Sequence, residues 1–242
     1  MKHQRSEGRR ASQLRSLTFV RGYTDRAPGS VLVRLGNTTL LCTATVEESL
    51  PPWRKESGLG WVTAEYDMLP GSTGDRRPRR RHSPDGRTVE IQRLIGRVMR
   101  SVIDFTRVGP RTIWLDCDVL QADGGTRTAA INGAYVALCD AVRWLKSRKL
   151  LDGSPVVEAV AAVSVGKVGG RILLDLDYEE DSSAEVDFNV AMTASGRFVE
   201  VQGAGEGCTF TRAELDGMLK AAAGGIREII AAQTKALARR RG

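Results

Sequence analysis

Residues 120–138 read LQADGGTRTAAINGAYVAL, with two glycines followed by a threonine and an arginine at the centre. The residues before them continue an alternating, strand-like run, and those after them are the small apolar residues of a buried helix. Residues 123–127 therefore form the mouth of that helix. A helix N-terminus presents unpaired N–H groups and the positive end of the peptide dipoles, so an anion can bind there. Gly124 and Gly125 let an oxyanion approach the backbone, Thr126 offers a hydroxyl donor and Arg127 a guanidinium fork. That set suits phosphate. The same residues also allow a plain helix start, capped by Asp123 or Thr126, with Arg127 in solvent. A nucleotide P-loop is excluded, because GxxxxGK[ST] does not occur in the chain.

A second constellation is acidic. In DLDYEEDSSAEVDFNVAMT, residues 175–193, Val186, Phe188 and Val190 share one face of a strand, which turns Asp187, Asn189 and Thr193 to the other. Asp187 thus stands on a rigid element beside a turn containing Asp181. Two carboxylates held this way can bind Mg²⁺ or lend a proton to a departing hydroxyl; the alternative is a solvated acidic turn. A third stretch, GDRRPRRRHSPDGR, crowds Arg76, Arg77, Arg79, Arg80 and Arg81 between two regular elements. Pro78, Pro84 and Gly86 keep it from being a helix that buries them, so they face solvent or a partner.

Composition sets the frame. The 242 residues, 41% of them hydrophobic, suffice for one large domain or two closely packed halves. A net charge of +7, carried mostly by arginine, points either to a polyanionic partner, nucleic acid first, or to simple solubility. His3 and His82 are the only histidines, which leaves almost no material for a Ser/His/Asp triad or a histidine-based zinc site. Cys42, Cys117, Cys139 and Cys208 form no CxxC pair and read as reduced, structural thiols. The N-terminus has no apolar leader region and no segment is long enough to span a membrane, so a cytoplasmic location is expected.

The elements that must position these groups are legible from periodicity. SVLVRLGNTTLLCTATVEE reads as a hairpin turning at Gly36, Asn37 and Thr38 after a polar N-terminal arm. A strand starts at Trp61. Residues 87–105 are predicted to form one amphipathic helix with Arg93, Arg97 and Arg100 as a basic ridge. A strand over Thr112 to Gln121 leads to the diglycine helix, whose buried side is small enough, with Gly133 in it, to lie close on a sheet. VVEAVAAVSVGKV, RILLDLD, VDFNVAMT and FVEVQG read as a second sheet, and a last helix runs from about Arg212 to the arginines 239–241. The order predicts a mixed α/β (α+β) single unit, 1–242, made of two similar halves at about 1–150 and 151–242, although no repeat proves a duplication.

The stretches GSVLVRLGNTTLLCTATVEE, GLGWVTAEYDMLPGST, GRTVEIQRLIGRVMR, LDCDVLQADGGTRTAAINGA, EDSSAEVDFNVAMT and FVEVQGAGEG resemble, in this order, those of the ribonuclease PH family over nearly the whole chain. The resemblance implies a phosphate-dependent 3′–5′ exoribonuclease that trims tRNA precursors and other RNA 3′ ends, releases nucleoside diphosphates and can run in reverse. It implies two related halves like the second domain of ribosomal protein S5, and a homohexamer built as a trimer of dimers. Inorganic phosphate as co-substrate then falls to Arg87, Gly125, Thr126 and Arg127. The acidic pair is Asp181 and Asp187, as proton donor or Mg²⁺ ligands, and tRNA contacts fall to Arg76, Arg77, Arg79, Arg80 and Arg81. HSPDGR and QGAGEG depart slightly from the usual pattern, which leaves open which loop arginines touch RNA. Two rivals remain: a noncatalytic RNA-binding ring subunit, which would lack the turn or the carboxylates, and a metal-dependent hydrolytic nuclease, which would need no phosphate site.

Overall fold

In the computed structural model, which describes residues 5–79 and 85–239, strand β1 (Leu17–Arg21) leads into the hairpin of β2 (Gly29–Leu35) and β3 (Thr38–Glu47). Gly36, at φ +55°, supplies the left-handed residue that this tight turn requires. β4 (Trp61–Met68) and β5 (Thr112–Gln121) complete a five-stranded sheet of order β1-β2-β3-β5-β4. Its pairs are antiparallel except β4 with β5, which run parallel. A parallel pair needs a crossover, and the chain between β4 and β5 supplies it as α1 (Gly86–Arg100) and the short α2 (Phe105–Val108). α3 (Thr126–Ser147) follows β5 directly.

The second sheet, of order β7-β6-β8-β9, is built from β6 (Val160–Val168), β7 (Arg171–Leu174), β8 (Val186–Thr193) and β9 (Phe198–Gly205). The one-turn α4 (Tyr178–Ser182) sits between β7 and β8, and α5 (Arg212–Ala238) closes the chain. Met218, Ala222, Ile226 and Ile229 of α5 pack on Val163, Val165 and Val190 in this half's own core. α3 is buried on most of its surface, because it lies on β2 and β3 on one side and on β6 on the other. Gly133 permits that approach: a Cβ there would stand 2.5 Å from Cys42 Sγ and Val33 Cγ2. Fully buried Ile131, Leu138 and Leu145 each contribute roughly 1.5–3 kcal/mol. β7 pairs only with residues 165–168 of β6, and beyond it Asn132 of α3 stands in for the missing strand. The Asn132 amide donates to Ala162 O at 2.9 Å and accepts from Ala162 N at 2.8 Å.

The structure corrects one expectation and adds to two others. The predicted helix over 87–105 stops at Arg100, and Asp104 then caps a separate turn by accepting from Thr106 N. Val102 and Ile103 stay buried, which kept the apolar rhythm running past the real end. Two arginines of the basic ridge are engaged within the molecule, while Arg93 faces solvent. Arg97 makes a two-pronged pair with Glu200 at 2.7 and 2.9 Å, and Arg100 stacks over Trp61 while donating to Val62 O. The polar arm is tied to the second half of the chain, since Arg5, Arg9 and Arg15 are buried among Asp175, Asp177 and Glu180. Part of the charge excess therefore serves the fold. Cys42, Cys117, Cys139 and Cys208 are all free thiols.

Candidate active site

The diglycine turn is fixed from behind. Gly124 and Gly125 take φ +72° and +66°, conformations that favour glycine. The turn's carbonyl oxygens point into the protein: Thr38 Oγ1 donates to Gly124 O at 2.7 Å, and Arg15 donates to Asp123 O. Arg15 is itself locked by a two-pronged pair with fully buried Asp175, at 2.7 and 3.1 Å. With the acceptors turned inward, the N–H groups at the head of α3 face the other way. No side chain caps them. Gly125 occupies the cap position, while Asp123 is drawn off to Asn37 (3.1 Å) and to the backbone N–H of Tyr178 (3.4 Å). The plain capped start is thus not what forms, and a 22-residue helix presents open donors.

Thr126 is buried and accepts a hydrogen bond from Tyr66 Oη at 2.9 Å, which leaves its own hydroxyl proton free for a ligand. Burial pushes the Tyr66 phenol up, so it stays protonated as that donor. Arg127 is held from two sides, by Gln202 Oε1 of β9 at 2.9 Å and by Glu90 of α1 at 3.5 Å. Arg87 lies in the first turn of α1, whose start Asp85 caps by accepting from Thr88 N at 2.7 Å.

The carboxylates come from the second half. Asp187 is half-buried on β8 and Asp181 exposed on α4, whose start is closed by a capping box of Asp177 and Glu180. Arg5 anchors Glu180 at 2.7 and 2.9 Å from below. The two halves meet at Gly124, where a Cβ would stand 2.6–2.8 Å from the backbone of residues 176–178. Burial first, and the negative charge of Asp181 second, push the Asp187 carboxyl up to about 6, against the pull of Arg127 and Asn189. Desolvation also raises Asp181, opposed by Arg87, Arg127 and Arg15. Asp187 Oδ1 is buried with no hydrogen-bond partner.

Arg87, Gly125, Thr126, Arg127, Asp181 and Asp187 all line one cavity of about 380 Å³. Among the loop arginines, Arg77 joins that wall and pairs with Asp85 at 3.3 Å, whereas Arg76 and Arg79 are exposed away from it. Arg80 and Arg81 lie outside the described residues. Tyr66, Arg15, Thr38, Gln202 and Tyr178 were not singled out from the sequence. The one signal it carried was that Glu200 and Gln202 share one face of β9 and so meet Arg97 and Arg127 together. The residues also fit a divalent cation: two carboxylates on one wall, one with an unpaired buried oxygen, are hard donors of the kind Mg²⁺ takes alongside water and phosphate oxygens. No group of three or more acidic, histidine or cysteine ligands occurs among the described residues.

Models of the 3′ exoribonuclease family match residues 13–143 as domain 1 and residues 158–225 as domain 2. The chain is 55% identical over 240 residues to ribonuclease PH of Synechococcus sp. (strain JA-2-3B'a(2-13)), covering 98% of each. Against ribonuclease PH of Corynebacterium glutamicum (strain R) it is 54% identical over 235 residues, covering 96% of each. Among solved structures, an Archaeoglobus fulgidus exosome with RNA bound to the active site aligns at TM-score 0.80 and 20% identity, over 95% of this chain and 92% of that one. Rice Rrp46 aligns at 0.78 and 17% identity, over 96% and 100%. At those identities the structural likeness speaks for the fold.

Proposed function

The chain belongs to the ribonuclease PH family of phosphorolytic 3′–5′ exoribonucleases of tRNA processing, and from that premise we propose how its own residues carry the reaction. Inorganic phosphate sits on the open N–H groups of α3, against the Thr126 hydroxyl and between the guanidinium groups of Arg87 and Arg127. A phosphate oxygen attacks the phosphorus of the last phosphodiester. The bond to the 3′ oxygen of the preceding nucleotide breaks, and that oxygen leaves with the electron pair. The products are a nucleoside 5′-diphosphate and an RNA shorter by one residue. Phosphate is already an anionic nucleophile and needs no activating base; the work of the site is to hold two anions together in line.

The departing oxygen takes a proton from Asp187, whose raised pKa keeps a share of it protonated near neutrality. In the alternative role Asp181 and Asp187, both ionised, would hold Mg²⁺, which when bound would supply positive charge to the departing oxygen in place of the proton. The single observation that carries this reading is the convergence of Arg87, residues 125–127, Asp181 and Asp187 on one cavity wall.

The proposal extends to tRNA precursors as substrates, to a homohexamer built as a trimer of dimers and to a cytoplasmic location. Exposed apolar residues at sheet edges, Val20 on β1 and Phe198 and Val201 on β9, support self-association. Light scattering on the purified chain tests the assembly. No helix among the described residues is long and apolar enough to cross a membrane. The activity test is product identity: nucleoside diphosphate appears with phosphate present and release stops without it. Monophosphate release without phosphate would instead identify a hydrolase, and RNA binding with neither product a noncatalytic subunit.

A further inference from the structure

Fourteen of the described residues line the cavity, and among these Tyr178 alone is aromatic and only Met68 and Ala122 have wholly apolar side chains. Tyr178 is 65% exposed, which is unusual for a large ring beside a buried polar site. Its phenol makes no hydrogen bond among the described residues, yet its backbone is held firmly. The N–H donates to Asp123 Oδ1, the residue stands at the first position of α4 behind the Asp177–Glu180 capping box, and bare Gly124 lets the phosphate turn pack against it. A fixed backbone thus presents an unoccupied ring on the wall that carries both the anion-binding turn and the carboxylates.

An enzyme that removes nucleotides one after another must accept every base, so a hydrogen-bonding pocket matched to one base edge would stall it. A flat aromatic surface has no such code, because all four bases offer a π-face. We propose that Tyr178 is the stacking platform for the base of the 3′-terminal nucleotide, the specificity element that favours a nucleobase at this subsite without choosing among the four. The proposal rests on the phosphorolytic reading of this cavity. It gives Tyr178 a binding and positioning role, separate from the phosphate contacts of Arg87 and Arg127 and from the proton carried by Asp187.

The test uses short single-stranded RNA at saturating phosphate. Tyr178→Ala is expected to raise KM for RNA about tenfold, within the range that stacking one base on an aromatic ring supplies. KM for phosphate stays unchanged, and Tyr178→Phe keeps wild-type values because it keeps the ring. An RNA whose last nucleotide lacks its base makes the same point from the other side: wild type loses about tenfold on it, and Tyr178→Ala loses nothing further. An unchanged KM for RNA in Tyr178→Ala, a Tyr178→Phe variant that behaves like Ala, or an equal loss on the abasic RNA in wild type and Tyr178→Ala would each overturn the proposal. Arg127→Ala, assayed alongside, separates the two levels. If it raises KM for phosphate while Tyr178→Ala changes nothing, the platform alone is wrong; if it leaves phosphate kinetics untouched, the reading of the cavity falls with it.

Discussion

Asp187 carries a carboxyl oxygen that is buried and unpaired beside a second carboxylate, an arrangement that costs stability whenever both are ionised. Its folded value of about 6 lies above that of an ordinary aspartate, so the folded chain holds the proton more tightly than the unfolded one. Such a group contributes its stability below the unfolded value, near pH 4, and loses it as pH rises through about 6. Asp187→Asn is therefore expected to be more stable than wild type at pH 8, by on the order of 1–2 kcal/mol, with the difference closing toward pH 4. The same variant binds RNA and releases no nucleoside diphosphate. Thermal melts across pH, paired with product assays, check both halves; a variant less stable at pH 8 would make Asp187 a structural anchor. Arg127 offers the complementary case, since Gln202 and Glu90 fix it from two sides. Arg127→Ala or Arg87→Ala should lower the rate about a hundredfold, roughly 3 kcal/mol of transition-state stabilisation. RNA affinity should move far less, as phosphate-dependence curves and RNA titrations will show.

At the scale of elements, the site is a joint between the N-terminus of α3 and the segment from β7 through the start of β8, and its tolerance is set by Gly124. An alanine there meets both the left-handed φ of +72° and backbone atoms at 2.6–2.8 Å. Gly124→Ala is expected to cost at least about 1–3 kcal/mol from strain alone and to raise KM for phosphate by pushing the turn off α4. A melt and a phosphate titration measure the two effects. Arg5→Ala acts from below, because it leaves Glu180, 1% exposed, without the partner that spans both its oxygens. Breaking a buried pair in this way costs about 3–5 kcal/mol. The sequence held the near half of this joint: GGTRTA carries its glycines and donors in one contiguous run, and the alternation at 186–190 turned Asp187 away from the core. It could not hold the far half. Arg5, Arg9 and Arg15 read only as part of a polar arm because their partners lie more than a hundred residues away, and Tyr66, Thr38 and Gln202 sit in strands whose local pattern says only which face they take. The helix end at Arg100 was hidden for a related reason, since Val102 and Ile103 continue the apolar spacing although the backbone has left the helix.

For the whole molecule, the decisive quantity is where the surplus positive charge lies once the fold has used its share. Arg5, Arg9, Arg15, Arg97 and Arg100 are paired or packed within the chain, so the arginines behind the net charge of +7 are not all open to a partner. Arginines stay exposed at several places on the surface, Arg93, Arg212 and Arg227 among them, but the loop between β4 and α1 brings exposed arginines next to the cavity, and it is graded. Arg76 and Arg79 face solvent, while Arg77 reaches the cavity wall and pairs with Asp85 at the start of the helix that bears Arg87. We therefore propose two roles along one segment. Exposed arginines that meet a structured RNA body release counterions from its phosphates, and every arginine–phosphate pair removed should flatten the dependence of log affinity on log salt by about 0.7–0.9. Arg76→Ala with Arg79→Ala is expected to flatten the slope for tRNA by about 1.5 and to raise KM for tRNA precursors, with little change on a short unstructured RNA that needs only the end site. Arg77→Ala should instead impair trimming of both RNAs, since it alters the wall of the cavity proposed to receive the 3′ end. Salt titrations with tRNA and trimming rates on the two substrates decide between these patterns. If slopes and affinities stay at wild-type values in the double variant, the exposed part of the loop is a solvated connection and the tRNA surface lies elsewhere on the protein.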